Sequence, residues 1–185
     1  MCSLFRNKYR NETIRLNGHD YSSGGKYFVT ICTHCMISYF GNISCDKMFL
    51  SESGQIANKL WYEIPKHFPF VSLDEFVVMP NHIHGIIIIE PTGGLGTVHA
   101  TSLHRNEFMS TISPKTGSLA MVIRSYKSAV SKNVHFIDHD FLWQPRYYDH
   151  LIRTDREMNR IRKYIIDNPY KWDGSGRCMQ RPDNF

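Results

Sequence analysis

The amino-acid sequence predicts an α+β fold with a mainly antiparallel central sheet, helices on one face and a further helix near the C-terminus. Segments rich in β-branched and aromatic residues alternate with amphipathic segments, in the order strand, helix, strand, strand, helix, strand, helix. Two of the predicted strands are joined only through Pro80-Asn81, which predicts a hairpin and therefore antiparallel pairing. Together these observations predict an α+β sandwich with helices on one face of the sheet.

Length, composition and charge limit the class of protein. The chain has 185 residues, which we interpret as one domain (1–185) with a sizeable core. Its net charge of +5 permits a polyanionic partner. No apolar run approaches the ~20 residues that cross a bilayer, and the basic N-terminus is not followed by the apolar core of a signal peptide. We therefore expect a cytoplasmic protein without a membrane partner.

The first half of the chain contains a basic arm, a strand, a hairpin and a helix. The arm covers residues 1–25, and the segment KYFVTICT at 26–33 is typical of a core strand. A short hairpin is predicted around 43–50. Residues 51–66 carry apolar side chains at helical spacing, which predicts an amphipathic helix. We expect this helix to end at Pro65 and Pro69.

The middle of the chain contains the predicted central hairpin and a long loop. The hairpin pairs residues 75–79 with 82–89, and the second of these strands is almost entirely apolar, which is typical of a strand buried on both faces. The loop covers residues 91–117 and is rich in Gly, Ser and Thr. A loop of this length in a compact domain is usually functional or disordered. Ser118 is expected to cap a second helix that runs to about residue 133.

The last part of the chain predicts a strand followed by a helix. Residues 141–152 are typical of a strand that Pro145 makes irregular. Thr154 and Glu157 have the spacing of a capping box, which predicts a helix over 154–168. The helix is expected to stop before Pro169, because the residue before a proline is pushed out of the α region.

His82 and His84 form the first candidate site. Side chains of a strand alternate between its two faces, so these two imidazoles converge on one spot while Ile83 points away. Neutral imidazole is the commonest protein ligand for a divalent metal. We expect both histidines to be exposed ligands where the strand meets the turn. The spacing alone fits two hydrogen-bonded surface histidines equally well.

The last helix carries the second candidate site. Tyr164 and Asn168 are four residues apart and therefore share one helical face. The side-chain carbonyl of Asn168 is a hard oxygen that suits Mg²⁺ or Mn²⁺. A cationic stripe lies beside this face, and it consists of Arg156, Arg160 and Lys163. Taken alone, these features also fit a tyrosine at the edge of the core and a solvated helix face.

Taken together, these segments resemble a known family, the HUH single-strand transposases with one catalytic tyrosine. The chain is most similar to transposase-like proteins related to the REP-associated tyrosine transposases. The matching segments are KYFVTICT from Lys26, DEFVVMPNHIHGIII from Asp74, LWQPRYYDHLIR from Leu142 and RIRKYIIDNPYKW from Arg160. They are spread over most of the chain, and their joint pattern is far more specific than two histidines alone. The resemblance implies a ferredoxin-like HUH fold.

The resemblance also implies roles for individual residues. His82 and His84 would bind a divalent metal, Mg²⁺ or Mn²⁺, and Asn168 would complete the site, although some members carry glutamine at its position. Tyr164 would attack a DNA phosphodiester to form a 5′-phosphotyrosine and release a 3′-OH that later rejoins strands. A dication withdraws the charge that builds on the phosphoryl oxygens, and a phenol ionises more easily than a serine hydroxyl.

The implied partner is single-stranded DNA folded into hairpins, bound by a monomer or a homodimer. Basic side chains outside the site would contact its phosphates. The candidates are Arg124, Lys127, Arg146, Arg153, Arg156, Arg160 and Lys163, together with the basic arm. Trp143, Tyr147 and Tyr148 are candidates for stacking on unpaired bases, and the two tyrosines are also competing candidates for the nucleophile. Two alternative functions remain at this point, a catalytically silent binder of structured DNA and a metal-dependent nuclease that uses water.

Overall fold

The computed structural model of the protein describes residues 24–91 and 117–172. The predicted basic arm and the interior of the predicted long loop lie outside the described residues. Six strands and three helices longer than one turn occur in the described part of the chain. The strands are β1 (Gly25–Cys32), β2 (Gly41–Ser44), β3 (Lys47–Leu50), β4 (Val71–Val78), β5 (His82–Ile89) and β6 (Tyr148–Ile152). The helices are α1 (Glu52–His67), α2 (Leu119–Val134) and α3 (Asp155–Asp167).

The central sheet has four strands in the order β4-β5-β1-β6, and each neighbouring pair is antiparallel. Strands β2 and β3 form a separate hairpin. This arrangement confirms the predicted α+β fold with a mainly antiparallel sheet. Strand β5 lies inside the sheet, between β4 and β1, which explains why its sequence is apolar on both faces.

The sheet separates two apolar clusters. On one face, Tyr27, Val29 and Ile31 of β1 pack with α1 and α2. On the other face, Phe28 of β1 and Ile86 of β5 pack with α3. Of the three described helices, only α3 lies on this second face of the sheet. Full burial of one such side chain contributes about 1.5–3 kcal/mol, so both faces stabilise the fold.

The three helices begin at the residues that the sequence predicts. The hydroxyls of Ser51, Ser118 and Thr154 each accept a hydrogen bond from the backbone N–H three residues later. Helix α1 continues through Pro65 to His67, because the fixed φ of proline is helical and a single backbone hydrogen bond is lost. In the described part of the chain, no helix combines the length and the apolarity needed to cross a membrane.

Two predicted strand boundaries are wrong. Strand β6 begins at Tyr148 instead of residue 141, because Arg146 adopts a left-handed backbone with φ 68° after Pro145. Only an isolated bridge between Trp143 and Thr33 pairs the preceding stretch with the sheet. Strand β4 begins at Val71, four residues before the predicted start, because a bulge between Leu73 and Phe76 interrupts its alternation.

Gly85 is required by the packing between β5 and α1. A Cβ atom at this position would overlap Cζ2 of Trp61 and would lie 3.1 Å from Cβ of Phe76. Trp61 is fully buried and stacks on Phe76, with 5.4 Å between ring centroids, so it has little room to move. We expect Gly85→Ala to lower the free energy of unfolding by about 1–3 kcal/mol in urea titrations. The matched substitution Ser72→Ala, at an exposed position of β4, is expected to change it by less than about 0.5 kcal/mol. Equal stability of both variants would contradict this packing.

Candidate functional site

His82 and His84 lie at the start of β5, on the face of the sheet that α3 covers. Their side chains are 2% and 0% exposed, so the prediction that they are exposed ligands is wrong. The reason is that aromatic rings from the C-terminal part of the chain cover them. The Tyr164 ring lies 5.3 Å from the His84 ring, and the Trp172 ring lies 6.0 Å from the His82 ring, measured between centroids.

The two imidazoles point at each other through their Nε2 atoms, which are 3.0 Å apart. The other ring nitrogen of each histidine is held by a buried polar side chain. Nδ1 of His82 lies 2.7 Å from Oδ1 of Asn81, and Nδ1 of His84 lies 2.8 Å from Oγ1 of Thr30. Both partners are buried, and Thr30 is paired with His84 in the sheet register. The sequence therefore brings two nitrogens to one spot and fixes both rings from behind.

Burial sets the charge state of the pair. It lowers the pKa of His82 from 6.5 to about 3. Burial also lowers the pKa of His84, and the neighbouring His82 lowers it further. Both rings are therefore neutral at pH 7, which is the form of imidazole that binds a metal ion.

Helix α3 brings Tyr164 to the histidine pair. Its Oη atom lies 3.3 Å from Nε2 of His84. The helix is held in this orientation because Met158, Ile161 and Ile165 pack into the apolar cluster beneath it. The Tyr164 ring meets Phe28 edge-on, with 6.0 Å between centroids. Tyr164 and the two histidines, which the sequence analysis names as candidate site residues, thus meet in one site. Tyr164 and His84 are 80 residues apart in the chain.

The competing tyrosines lie elsewhere. Tyr148 is on the same face of the sheet but on edge strand β6, directly opposite Thr30 in the register. Thr30 in turn pairs with His84, so Tyr148 is two strands away from the pair, or ~9–10 Å at the usual strand spacing. Tyr147 packs with the cluster on the other face. Of the three tyrosines, Tyr164 is therefore the one that lies next to the histidine pair.

Asn168 and Trp172 lie just after α3. The Asn168 amide donates a hydrogen bond of 3.4 Å to the carbonyl of Tyr164, and within the described residues no hydrogen bond joins it to either histidine. Its role as a metal ligand stays a prediction. A 3₁₀ turn (Pro169–Lys171) follows, and it brings Trp172 over His82. Trp172 closes the segment RIRKYIIDNPYKW, but its spacing predicts no contact with a residue 90 positions earlier.

The donor atoms of the pair fit a divalent cation. The two Nε2 atoms converge on one spot, and neutral imidazole nitrogens are ligands that a divalent cation would bind. Among the residues that the structure describes, no group of three or more His, Cys, Asp and Glu side chains that would hold a metal occurs.

The predicted DNA-binding residues are divided between the two faces. Arg156, Arg160 and Lys163 are exposed on α3, beside the site, and Arg153 and Arg146 are exposed close to β6. Arg124 is exposed on α2, which covers the opposite face. None of these placements tests DNA binding itself, which stays a prediction for each residue.

Lys127 differs from the other predicted DNA-binding residues. Its ammonium donates to the backbone carbonyls of Gln144 and Arg146 at 2.8 and 3.0 Å, and lies 5.7 Å from the centre of the Trp143 ring. Burial lowers its pKa to about 8. Trp143 in turn donates its indole N–H to the Lys127 carbonyl. Lys127 and Trp143 thus stabilise the irregular stretch before β6.

Ion pairs that the sequence analysis missed attach α3 to the sheet. Arg162 donates two hydrogen bonds to Asp74, of 2.8 and 2.7 Å, and this guanidinium lowers the pKa of the Asp74 carboxyl. At the start of the helix, Glu157 accepts from the backbone N–H of Arg153 and lies 2.7 Å from His150 Nε2. Both the first turn and the middle of the helix are therefore tied to strands.

The Arg162–Asp74 pair gives a prediction about stability. We expect Arg162→Met to lower the free energy of unfolding by about 1 kcal/mol, because a bidentate but half-exposed ion pair is lost while the apolar stem is kept. Arg162→Lys should recover only part of this loss, since lysine cannot form two parallel bonds. Thermal unfolding of these variants and of Lys163→Met, an exposed control on the same helix, tests this. If Arg162→Met and Lys163→Met unfold at the same temperature, the ion pair does not hold the helix.

Comparison of the sequence with known proteins identifies relatives. No family model matches the sequence. An uncharacterized protein of Haemophilus influenzae is 37% identical over 174 residues, which cover 89% of this chain and 91% of that protein. A second Haemophilus influenzae protein, named as a candidate REP-associated tyrosine transposase, is 24% identical over 152 residues, which cover 82% of this chain and 74% of that protein.

A solved structure has the same fold. It is that of a REP-associated tyrosine transposase bound to a REP hairpin, and it matches this chain with a TM-score of 0.53 and 19% sequence identity. The match covers 83% of this chain and 71% of that one. The chain therefore belongs to one family with the uncharacterized Haemophilus protein, and it is similar in sequence and in fold to REP-associated tyrosine transposases.

Proposed function

We propose that this protein cleaves and rejoins single-stranded DNA at hairpins, with Tyr164 as the nucleophile and a divalent cation held by His82 and His84. The observation that carries this proposal is the 3.3 Å distance between Tyr164 Oη and His84 Nε2, at the point where the two Nε2 atoms converge. The phenol oxygen thus lies beside the nitrogens that would hold the cation, where a nucleophile for a bound phosphate is needed.

Each side chain has a defined role in the proposed reaction. When bound, the cation would withdraw the negative charge that builds on the phosphoryl oxygens. His82 and His84, both with neutral imidazole rings, would hold the cation. Tyr164 Oη forms a bond to phosphorus as the bond to the 3′-oxygen breaks, and the proton that the phenol loses is balanced by the one that the released 3′-OH gains. The phosphotyrosine conserves the energy of the broken bond, so attack by a 3′-OH rejoins a strand.

The donor atoms favour one of the two candidate cations. Mg²⁺ is bound mainly through oxygen ligands and waters, whereas nitrogen ligands are better suited to transition metals. Of the two ions that the resemblance implies, Mn²⁺ is therefore the better match to a pair of imidazoles. Asn168 would add an oxygen ligand if its side chain turned from the Tyr164 carbonyl toward the pair.

The proposed DNA substrate is supported by charge and by the structural relative. Arg156, Arg160 and Lys163 are exposed on the same helix as Tyr164, where they would lie along a bound phosphate backbone. The relative of the same fold was solved with a REP hairpin bound. Tyr164 lies beside the histidines of its own chain, so one subunit could assemble the proposed site by itself, whether the protein is a monomer or a homodimer.

The proposal is tested by a search for the covalent intermediate. The protein is incubated with single-stranded DNA that carries a REP-type hairpin and labelled single-stranded flanks, with Mn²⁺, with Mg²⁺ or with EDTA. We expect a protein–DNA adduct that survives a denaturing gel, with more adduct in Mn²⁺ than in Mg²⁺ and none in EDTA. Cleavage without an adduct would replace the proposal with a nuclease that uses water. Binding without cleavage on every hairpin tried would replace it with a silent DNA-binding protein.

A further inference from the structure

The hydrogen bonds behind the histidine pair determine which ring nitrogen of His82 carries the proton. The amide of Asn81 donates from Nδ2 to the carbonyl of Met36 at 3.1 Å, so its Oδ1 faces Nδ1 of His82 at 2.7 Å. An amide oxygen only accepts hydrogen bonds, and Nδ1 of His82 must therefore be the donor. Because the ring is neutral, its Nε2 has no hydrogen and presents a lone pair to His84.

The same reasoning assigns His84 in the metal-free protein. Its Nε2 lies 3.0 Å from the bare Nε2 of His82, and two lone pairs at this distance in a buried site would repel each other. The proton of His84 is then on Nε2, where it is donated to His82, and the Tyr164 Oη atom, 3.3 Å from the same nitrogen, is a second and more distant acceptor. Its Nδ1 has no hydrogen, and it accepts from the hydroxyl of Thr30 at 2.8 Å.

A cation held by both Nε2 atoms requires the opposite arrangement at His84. The Nε2 lone pair is then used by the metal, so the ring proton must be on Nδ1 and must be donated to Thr30 Oγ1. A hydroxyl has one donor and two acceptor sites, and a rotation about its C–O bond exchanges these roles. One proton leaves Nε2 and one arrives at Nδ1, so the ring stays neutral.

We propose that His84 changes tautomer when a divalent cation binds, and that Thr30 is the positioning residue that accommodates both tautomers by reversing its hydrogen bond. The inference rests on the metal site of the proposed function. It also explains why the two histidines have different partners. A carbonyl oxygen behind each ring, as at Asn81, would fix both Nε2 atoms without hydrogen and leave two facing lone pairs whenever the metal is absent. The hydroxyl at Thr30 removes this conflict.

The tautomers are measured directly by long-range ¹H–¹⁵N NMR of the histidine rings, with His84→Gln used to assign the signals. In EDTA, we expect His82 to be protonated at Nδ1 and His84 at Nε2. With Zn²⁺, a diamagnetic probe, we expect His84 to become protonated at Nδ1 while His82 keeps its tautomer. Protonation of His84 at Nδ1 in the metal-free protein, or an unchanged His84 after Zn²⁺ has bound, would overturn the proposal.

Two substitutions of Thr30 test whether this residue acts through its hydroxyl or only through the shape of its side chain. Thr30→Val keeps the shape of the side chain but offers no acceptor, so we expect it to weaken Mn²⁺ binding about 10–100-fold while the metal-free tautomers stay as in the wild type. Thr30→Ser restores the hydroxyl and should restore binding. Equal Mn²⁺ affinity of Thr30→Val and the wild type would overturn the role of Thr30.

The DNA adduct reports on the proposed function, and the His84 tautomer reports on the further inference, so either can fail without the other. If the wild type forms the DNA adduct with Mn²⁺ but His84 keeps its tautomer, the function stands and the inference fails. If the tautomer changes on binding Zn²⁺ but no hairpin yields an adduct, the inference stands and the function fails. If the wild type binds neither ion, the metal site itself is wrong and both fail.

Discussion

Tyr164→Phe is expected to abolish the covalent protein–DNA adduct and to reduce DNA cleavage by at least about 10³-fold, because it removes the only oxygen that the proposed mechanism uses as nucleophile. The phenylalanine ring keeps the contact with Phe28 and loses only a half-buried hydroxyl. The free energy of unfolding should therefore change by about 1 kcal/mol or less. Adduct formation on a denaturing gel and urea titration of the same preparation measure the two effects separately.

Tyr148→Phe is the matched control for this substitution. Tyr148 lies on the same face of the sheet and also packs against Phe28, with 6.3 Å between ring centroids. It is two strands away from the histidine pair, so the variant should keep the adduct. An adduct that persists in Tyr164→Phe and disappears in Tyr148→Phe would reassign the nucleophile to β6.

Acidification is expected to destabilise the metal-free protein well before its carboxylates titrate. The pKa of His82 falls from 6.5 to about 3 on folding, and the pKa of His84 is lowered in the same direction. Below pH 6.5 the unfolded chain therefore binds protons that the folded protein excludes. The stabilisation is complete above pH 6.5 and decreases as the pH falls, by roughly 1 kcal/mol per pH unit for each histidine. Urea titrations in EDTA between pH 7 and pH 5 measure this slope.

The double variant His82→Gln, His84→Gln removes both titrations and provides the control. Its free energy of unfolding should be lower at pH 7, because hydrogen bonds to Thr30 and Asn81 are altered, but should depend much less on pH between 7 and 5. Asp74 also has a lowered pKa, from 3.8, and contributes only at more acid pH. If the wild type and the double variant lose stability in parallel over this range, the histidines are not neutral and buried as described.

The predictable part of the site depends on local periodicity. Alternation along a strand placed His82 and His84 on one face, and the i, i+4 spacing placed Tyr164 and Asn168 on one side of a helix. The buried residues of α3 were predictable for the same reason, and the caps at Ser118 and Thr154 were predictable because serine and threonine hydroxyls accept from the first turn of a helix. That the two segments meet in one site followed only from the family resemblance, since no local rule relates residues 80 positions apart.

The remaining features depend on tertiary contacts. Burial of the histidines requires Tyr164 and Trp172 to fold over them, and the pairing of Asp74 with Arg162 requires a bulge in β4 that the alternation of the strand does not reveal. Lys127 carries the charge of a phosphate-binding residue, but in the structure it donates to two backbone carbonyls. The sequence did not predict that Asn81 and Thr30 bind the histidine rings, because an amide in a turn and a threonine in a strand are common at such positions.

The ion pairs that join α3 to the sheet affect how DNA strands would be exchanged at the site. Lys26 lies 3.3 Å from Asp155 at the beginning of the helix, and Arg162 holds its middle to Asp74. Carrying Tyr164 from one DNA end to another would break these contacts and uncover Phe28. In the proposed reaction the tyrosine therefore stays in place, and the DNA ends exchange positions around it. The hairpin then holds the protein on the DNA, and the flanking DNA strands are the parts that move.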